Sequence, residues 1–237
     1  MIVLWVILSL MGLYILLLWI SSLLVHTDRE YPENSRYYRW LLNSATGIMI
    51  LVLRIRLKVS GVEKLPEGRF LLVSNHRSNF DPILTWFVLR KRDIAFVSKR
   101  ENFDVPIFGR FIRRCCFMAI DRENPRNAIR TIDQAAVLIK EDKVSVGIYP
   151  EGTRSKDCVL LPFHPGVFKI AQKANVPVVV MTVNGTEKIH RNVPFHRTVV
   201  NLDILKVIPT EKVTSERTAL ISEDVRETMA QQLTKYE

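Results

Sequence analysis

The chain has 237 residues, 48% of them apolar and 24% charged, with nine Gly and eleven Pro. That length suits one sizeable domain with an appendage, and that composition excludes collagen-like, low-complexity and disordered chains, which lack the apolar side chains to bury. Lys and Arg outnumber Asp and Glu by 34 to 24, a net charge of +10, with eleven basic against five acidic residues between Arg90 and Arg130. A field of that sign suits partners bearing phosphate: nucleic acid, an anionic membrane or a phosphorylated small molecule. Three cysteines, Cys115, Cys116 and Cys158, are too few for a disulfide scaffold and show no metal-ligand spacing, which fits a reducing compartment.

In chain order, Ile2 to Leu24 is almost wholly apolar and uncharged. As a helix it reaches about 34 Å, enough for a hydrocarbon layer of ~30 Å. A cleavable signal peptide is the alternative, but no basic n-region precedes the run and no A-x-A site follows it. Arg29, Arg36 and Arg39 lie downstream and no cation lies upstream, which places the remainder on the cytoplasmic side if the segment spans. A second uncharged run, Trp40 to Leu53, reaches only about 21 Å and is too short to span. Its flanks, Tyr37, Tyr38, Arg39 and Trp40 before it and Arg54 and Arg56 after it, suit a helix lying among headgroups with snorkelling cations; a buried core helix is the other reading. The expected organisation is a membrane anchor over residues 1–25, an interfacial helical segment over 26–55 and a cytoplasmic α/β domain over 56–237.

From Arg54 onward, short apolar runs bounded by turn residues predict strands at Arg54–Val59, Phe70–Ser74, Ile94–Ser98, Cys116–Ile120, Val144–Tyr149, Val178–Val183 and Val199–Leu205. Helical stretches alternate with them at Pro82–Lys91, Ile107–Arg114, Pro125–Glu141 and Gly166–Ala174. Strands alternating with helices predict an α/β fold, a mostly parallel central sheet covered by helices, here with an N-terminal membrane-embedded helical segment. The last stretch, Ser222–Glu237, reads as an amphipathic helix capped by Ser222, with Val225, Met229 and Leu233 on one face.

The sharpest polar burst is Asn75-His76-Arg77-Ser78-Asn79-Phe80-Asp81-Pro82, directly after a buried strand and before a helix, where α/β sheets open into a crevice. A turn there could bring the Asp81 carboxylate to one nitrogen of His76, fix the tautomer and leave the other nitrogen as a base. Asp81 before Pro82 also reads as a helix N-cap. A second burst, Tyr149-Pro150-Glu151-Gly152-Thr153-Arg154-Ser155, again follows a strand. Gly147 and Gly152 have the spacing of a phosphate-binding loop, but Thr153 and Arg154 stand where Lys and Ser/Thr are required, which excludes nucleotide hydrolysis. What remains is a tight turn presenting a carboxylate, a hydroxyl and a guanidinium able to grip phosphate bidentately. Lys99 and Arg122 each follow an apolar run and aim at the same crevice.

Four blocks now stand in order: N-H-x-x-x-x-D at 75–81, K-x-x-x-F-x-x-P-x-F-G at 99–109 with Asp121-Arg122, P-E-G-T-R-S at 150–155, and Val176-Pro177-Val178-Val179. Over about Val59 to Val183 the chain resembles the glycerolipid acyltransferase family, most closely its 1-acylglycerol-3-phosphate (lysophosphatidic acid) acyltransferases. The resemblance implies His76 as general base on the acceptor hydroxyl, Asp81 as its support, and Lys99, Arg122, Glu151, Gly152, Thr153 and Arg154 as the acceptor site, with Gly152 or its neighbours as oxyanion donors. It implies direct acyl transfer from acyl-CoA or acyl carrier protein as co-substrate to lysophosphatidic acid held in membrane lipid, with no cofactor and no metal. The chain departs from the family pattern at Tyr149, often Phe, at Phe163-His164-Pro165-Gly166, often F-K-x-G, and at Val180, where a second proline is common.

Two other readings stay open. One changes the acceptor to glycerol-3-phosphate or another lysophospholipid; the other is a membrane-tethered anion-binding protein without catalysis. Nucleic acid is not an expected partner, since aromatic and basic residues are not interleaved on one strand surface.

Overall fold

The computed structural model describes residues 1–29, 31–121 and 125–236. Seven strands form one sheet: β1 (Ile55–Ser60), β2 (Leu71–Ser74), β3 (Ile94–Lys99), β4 (Met118–Ile120), β5 (Ser145–Ile148), β6 (Val178–Asn184) and β7 (Thr198–Ile208), in the order β1-β7-β6-β2-β5-β3-β4. β6, β2, β5, β3 and β4 are mutually parallel, whereas β7 is antiparallel to β6 and carries β1 parallel to itself at the edge. The sheet is mostly parallel, as the alternation of strands and helices predicts.

Nine helices accompany it among the described residues: α1 (Ile2–Leu23), α2 (Arg36–Val52), α3 (Phe80–Val88), α4 (Phe108–Arg113), α5 (Pro125–Lys140), α6 (Lys169–Ala174), α7 (Ile189–Asn192), α8 (Thr210–Ser215) and α9 (Thr218–Leu233). Side chains along a strand alternate between faces, so β2 sends Leu72 to one side and Leu71 and Val73 to the other. The first side is covered by α2, α3 and α4 through Leu41, Leu42, Leu84, Trp86, Phe111 and Ile112. The second is covered by α5, α6, α8 and α9 through Ala135, Ile139, Ile170, Val213, Ile221, Val225 and Met229. Burial on both faces explains why β2, β5 and β6 have no polar alternation.

Two expectations change here. The helix predicted from Ser222 begins four residues earlier, at Thr218 behind an extended Arg217, so Ser222 is a buried mid-helix residue and caps nothing. α2, for which an interfacial helix and a core helix are the two sequence readings, buries Tyr38, Leu41 and Leu42 in the same core as β2 and α3. Arg39, read from the sequence as a snorkelling cation, is instead 5% exposed. Its guanidinium lies 4.5 Å from the Trp86 ring centroid, donates to Ile94 O at 3.1 Å, pairs with Asp93 at 3.5 Å and bonds Asn34 Oδ1. The opposite face of α2 exposes Tyr37, Trp40, Ile48, Leu51 and Val52.

α1 is long and apolar enough to cross a membrane and buries only Ser21 and Ser22. It runs antiparallel to α2, joined through the hydroxyl pairs Tyr14–Ser44 and Ser21–Tyr37, each 2.7 Å, and through Tyr38 Oη donating to Ser21 O at 3.0 Å.

Candidate active site

Parallel register sends the chain out of β2, β5, β3 and β6 at one edge: Val73 pairs with Ile148 and Val180, and Phe96 with Gly147. The loops after β2 (His76), β3 (Lys99), β5 (Glu151 to Arg154) and β6 (Thr186) therefore share the C-terminal edge, where an open α/β sheet offers its crevice.

The centre of this edge is Asp81, fully buried in the first turn of α3. Its Oδ2 lies 2.8 Å from His76 Nδ1 and accepts the backbone N–H of Arg77 at 2.6 Å and of Ser78 at 2.7 Å. Its Oδ1 accepts the Thr186 hydroxyl at 2.5 Å. The N-cap position belongs to Asn79, so Asp81 is not the cap; its carboxylate instead folds back over the loop before the helix. A carboxylate so surrounded is an acceptor, so the contact assigns the donor role to Nδ1–H and turns Nε2 away from Asp81. Nε2 has no hydrogen-bond partner among the described residues, and the His76 side chain is 15% exposed.

His76 is also braced from behind. Its ring stacks on Tyr149 with centroids 4.3 Å apart, and Tyr149 stacks on Phe96 at 5.8 Å. Phe96 lies against β5 where Gly147 has no side chain; any Cβ there would overlap the ring. Burial, and next the nearby Asp81 charge, hold the Tyr149 phenol well above its usual range, so it stays neutral.

Glu151 ties the second loop to the first. It is 4% exposed, with Oε1 accepting His76 N at 2.6 Å and Oε2 accepting Leu161 N at 2.9 Å. Burial raises its carboxyl above the ordinary value while these two amide bonds oppose the rise. Both oxygens are engaged within the chain, so Glu151 positions the His76 backbone; the expectation that it contacts the acceptor directly does not fit this geometry. Ser155 N donates to His76 O at 2.8 Å, which brings exposed Thr153 and Arg154 to the same loop.

Gly152 adopts φ +68° and faces the His164 ring, whose Cδ2 and Nε2 are 3.0 and 3.1 Å from where a Cβ would stand. Its N–H donates to Tyr149 O at 3.0 Å, closing the turn, so it is not free to serve as an oxyanion donor. Lys99 ends β3, exposed and paired with Glu101 at 2.7 Å. Arg122 lies outside the described residues.

Several contributors were not singled out in the sequence. Asn75 extends β2 by side chain, its Nδ2 donating to Val183 O at 2.9 Å and its Oδ1 accepting Val183 N at 2.8 Å. Arg77 binds Asn184 Oδ1 at 2.5 Å and Cys158 O at 3.1 Å, joining three loops. Thr186 holds Asp81. Asn184-Gly185-Thr186 is itself a polar burst after an apolar strand, the same signal that identified the other two loops.

Beside α3 lies a small, mostly apolar pocket of about 20 Å³ lined by Leu42, Thr46, Pro82, Ile83, Trp86, Phe108 and Phe117. Phe117 also lines a cavity of about 1120 Å³ bounded by Thr27, Arg29, Tyr31, Pro32, α4 and α5.

A family model described as Acyltransferase matches residues 56–184, more than half of the chain, from within β1 to the end of β6. The chain belongs to the acyltransferase family. Among characterised relatives, the 1-acyl-sn-glycerol-3-phosphate acyltransferase of Saccharomyces cerevisiae is 29% identical over 78% of this chain and 62% of its own length. That of Limnanthes douglasii is 35% identical over 59% of this chain and 49% of its own, and that of Escherichia coli 28% identical over 72% and 69%. The chain thus spans about half to two thirds of these relatives. The crystal structure of the 1-acyl-sn-glycerophosphate acyltransferase PlsC of Thermotoga maritima superposes with a TM-score of 0.71 over 94% of this chain and 88% of that one, at 24% identity, and so shares the acyltransferase fold.

Proposed function

We propose that this acyltransferase moves a fatty acyl group from an acyl thioester to the sn-2 hydroxyl of 1-acylglycerol-3-phosphate, giving phosphatidic acid. The observation that carries the reading is the 2.8 Å contact between His76 Nδ1 and a fully buried Asp81, with Nε2 left unpartnered. In the proposed step Nε2 takes the hydroxyl proton as the oxygen attacks the thioester carbonyl, and the new C–O bond forms a tetrahedral oxyanion. Collapse breaks the C–S bond, and the imidazolium returns its proton to the departing thiolate. Asp81 stabilises the imidazolium in between. The oxyanion needs N–H donors; the amides of Thr153 and Arg154 have no partner among the described residues and follow the closed turn at Gly152.

Lys99 and Arg154, together with Arg122, are assigned to the acceptor phosphate, with the Thr153 hydroxyl beside them; Arg154 supplies the planar fork that matches phosphate oxygens. Both lipids partition into the bilayer, so α1 belongs to the mechanism as the anchor that keeps the crevice at the membrane, with the body on the cytoplasmic side of Arg29 and Arg36. The deciding experiment incubates purified protein with lysophosphatidic acid, glycerol-3-phosphate or lysophosphatidylcholine and with acyl-CoA or acyl carrier protein thioester, and identifies the lipid by mass spectrometry. Phosphatidic acid from lysophosphatidic acid supports the proposal and its donor names the co-substrate; product from glycerol-3-phosphate alone, or no product, overturns it.

A further inference from the structure

No Asp or Glu occurs between Asn34 and Val62, nor between Lys188 and Leu202. These two acid-free stretches meet in the fold. Arg54 Nη1 donates to Phe195 O at 3.0 Å, Thr198 N donates to Arg54 O at 3.3 Å, and the β1–β7 ladder starts there at Ile55↔Thr198.

At the junction the loop after α7 turns Phe195 outward, 79% exposed, beside the end of α2, where Leu51 is 78% and Val52 66% exposed. Exposed Arg54, Arg191, His196 and Arg197 surround them, and none of the three arginines has a carboxylate partner among the described residues. Apolar side chains flanked in the chain by cations, on two segments that carry no Asp or Glu, have the composition of a surface that seats in the headgroup layer of an anionic bilayer. Position agrees with charge. The antiparallel pairs Tyr14–Ser44 and Ser21–Tyr37 direct the end of α2 toward the N-terminal half of α1, which is uncharged and apolar apart from Ser9.

We propose that the Val193–Arg197 loop, with the last turn of α2, is a second membrane contact: Phe195 inserts at the acyl boundary while Arg54, Arg191 and Arg197 hold anionic lipid phosphates. The inference rests on the membrane association proposed above and on none of the acyl-transfer chemistry. It links the bilayer to the active edge over a short path, because α7 joins this loop to Thr186, and the His190 ring packs on Phe80, next to Asp81, with centroids 5.1 Å apart. Seating Phe195 therefore fixes the height of the crevice above the membrane.

The test places a nitroxide at Phe195→Cys in full-length protein carrying Cys158→Ser; Cys115 and Cys116 are buried and stay unlabelled. A control label goes at Glu223→Cys on α9, which covers the other face of the sheet. On phosphatidylcholine vesicles containing phosphatidylglycerol, the label at 195 is expected to relax with oxygen more than with a water-soluble nickel chelate, and the control the reverse. A label at 195 as open to nickel as the control, on protein that floats with the vesicles, overturns the inference; shielding from both quenchers overturns it in favour of a protein interface. Protein that does not float at all refutes the membrane reading itself. As a second arm, Phe195→Asp is expected to bind these vesicles roughly tenfold more weakly at the loop than Phe195→Leu, read as nickel access of a label at Arg191→Cys. Equal access in the two variants contradicts the role of Phe195.

Discussion

At the C-terminal edge of the parallel strands, a single carboxylate gathers four donors from two loops more than a hundred residues apart, and a second carboxylate clamps the backbone beside it. Along the other flank, α1 meets the body through a few hydroxyl contacts and leaves nearly every Leu, Ile and Val exposed. The contrast teaches where each region gets its order. Protein groups over-determine the active edge, which holds its geometry without substrate, as preorganisation requires. The flank is under-determined by protein, and its apolar faces need a lipid phase to complete them.

The largest break in this comparison is Asp81→Asn. It keeps volume but removes the charge that supports an imidazolium and presents an amide to donors. We expect kcat to fall roughly 10²- to 10⁴-fold and stability to drop by about 2 kcal/mol, checked by initial rates and urea unfolding. An unchanged kcat would show that the dyad is not catalytic.

Glu151→Gln comes next. Of two backbone amides now received by carboxylate oxygens, one would face an NH2 group, costing about 1–3 kcal/mol and lowering kcat more than it raises KM. It also has a pH signature. The Glu151 carboxyl is raised in the fold by burial, so the folded chain holds that proton more readily than the unfolded one. Its contribution is most favourable below the unfolded carboxyl range, near about 4.3, and declines as pH rises through the raised folded value, then levels. Wild type minus Glu151→Gln, followed by urea midpoints from acid to neutral pH, should show that decline; a difference rising with pH contradicts the assignment.

Thr186→Val is a smaller perturbation. It deletes one donor to Asp81 Oδ1 with little change of shape, and we expect a loss of about 1 kcal/mol and a several-fold drop in kcat with KM unchanged.

How legible this molecule is in its sequence follows the same contrast. The strands are readable because apolar runs between turn residues have few other uses in an α/β chain, and the two polar bursts are readable because they follow such runs. The antiparallel β7 is not, since nothing local in Thr198–Ile208 states the direction of a strand. Thr186 escaped notice, and Asn75 was quoted in a motif without a role, because their partners, Asp81 and Val183, are 105 and 108 residues away. Glu151 was recognised, but its role depends on which atoms its oxygens meet. Arg39 was misread because a cation beside aromatics reads the same way in an interface and over a buried Trp86; only the core around α2 separates the two.

That last point yields the smallest prediction, on the flank. Arg39→Ala should lower stability by about 1–2 kcal/mol, through lost packing on Trp86 and an unpaired Ile94 carbonyl, with kcat within twofold in detergent micelles. A large loss of kcat with unchanged stability would mean that α2 shapes the active edge itself.

The central claim is that His76 Nε2 removes the proton from the lipid hydroxyl. The most direct measurement is phosphatidic acid formation from lysophosphatidic acid and a labelled acyl thioester by wild type and His76→Ala, with unfolding midpoints recorded on the same preparations. The account predicts product from wild type, a rate roughly 10²- to 10⁴-fold lower from a fully folded His76→Ala, and unchanged association with vesicles. Phosphatidic acid produced by folded His76→Ala at the wild-type rate would contradict it.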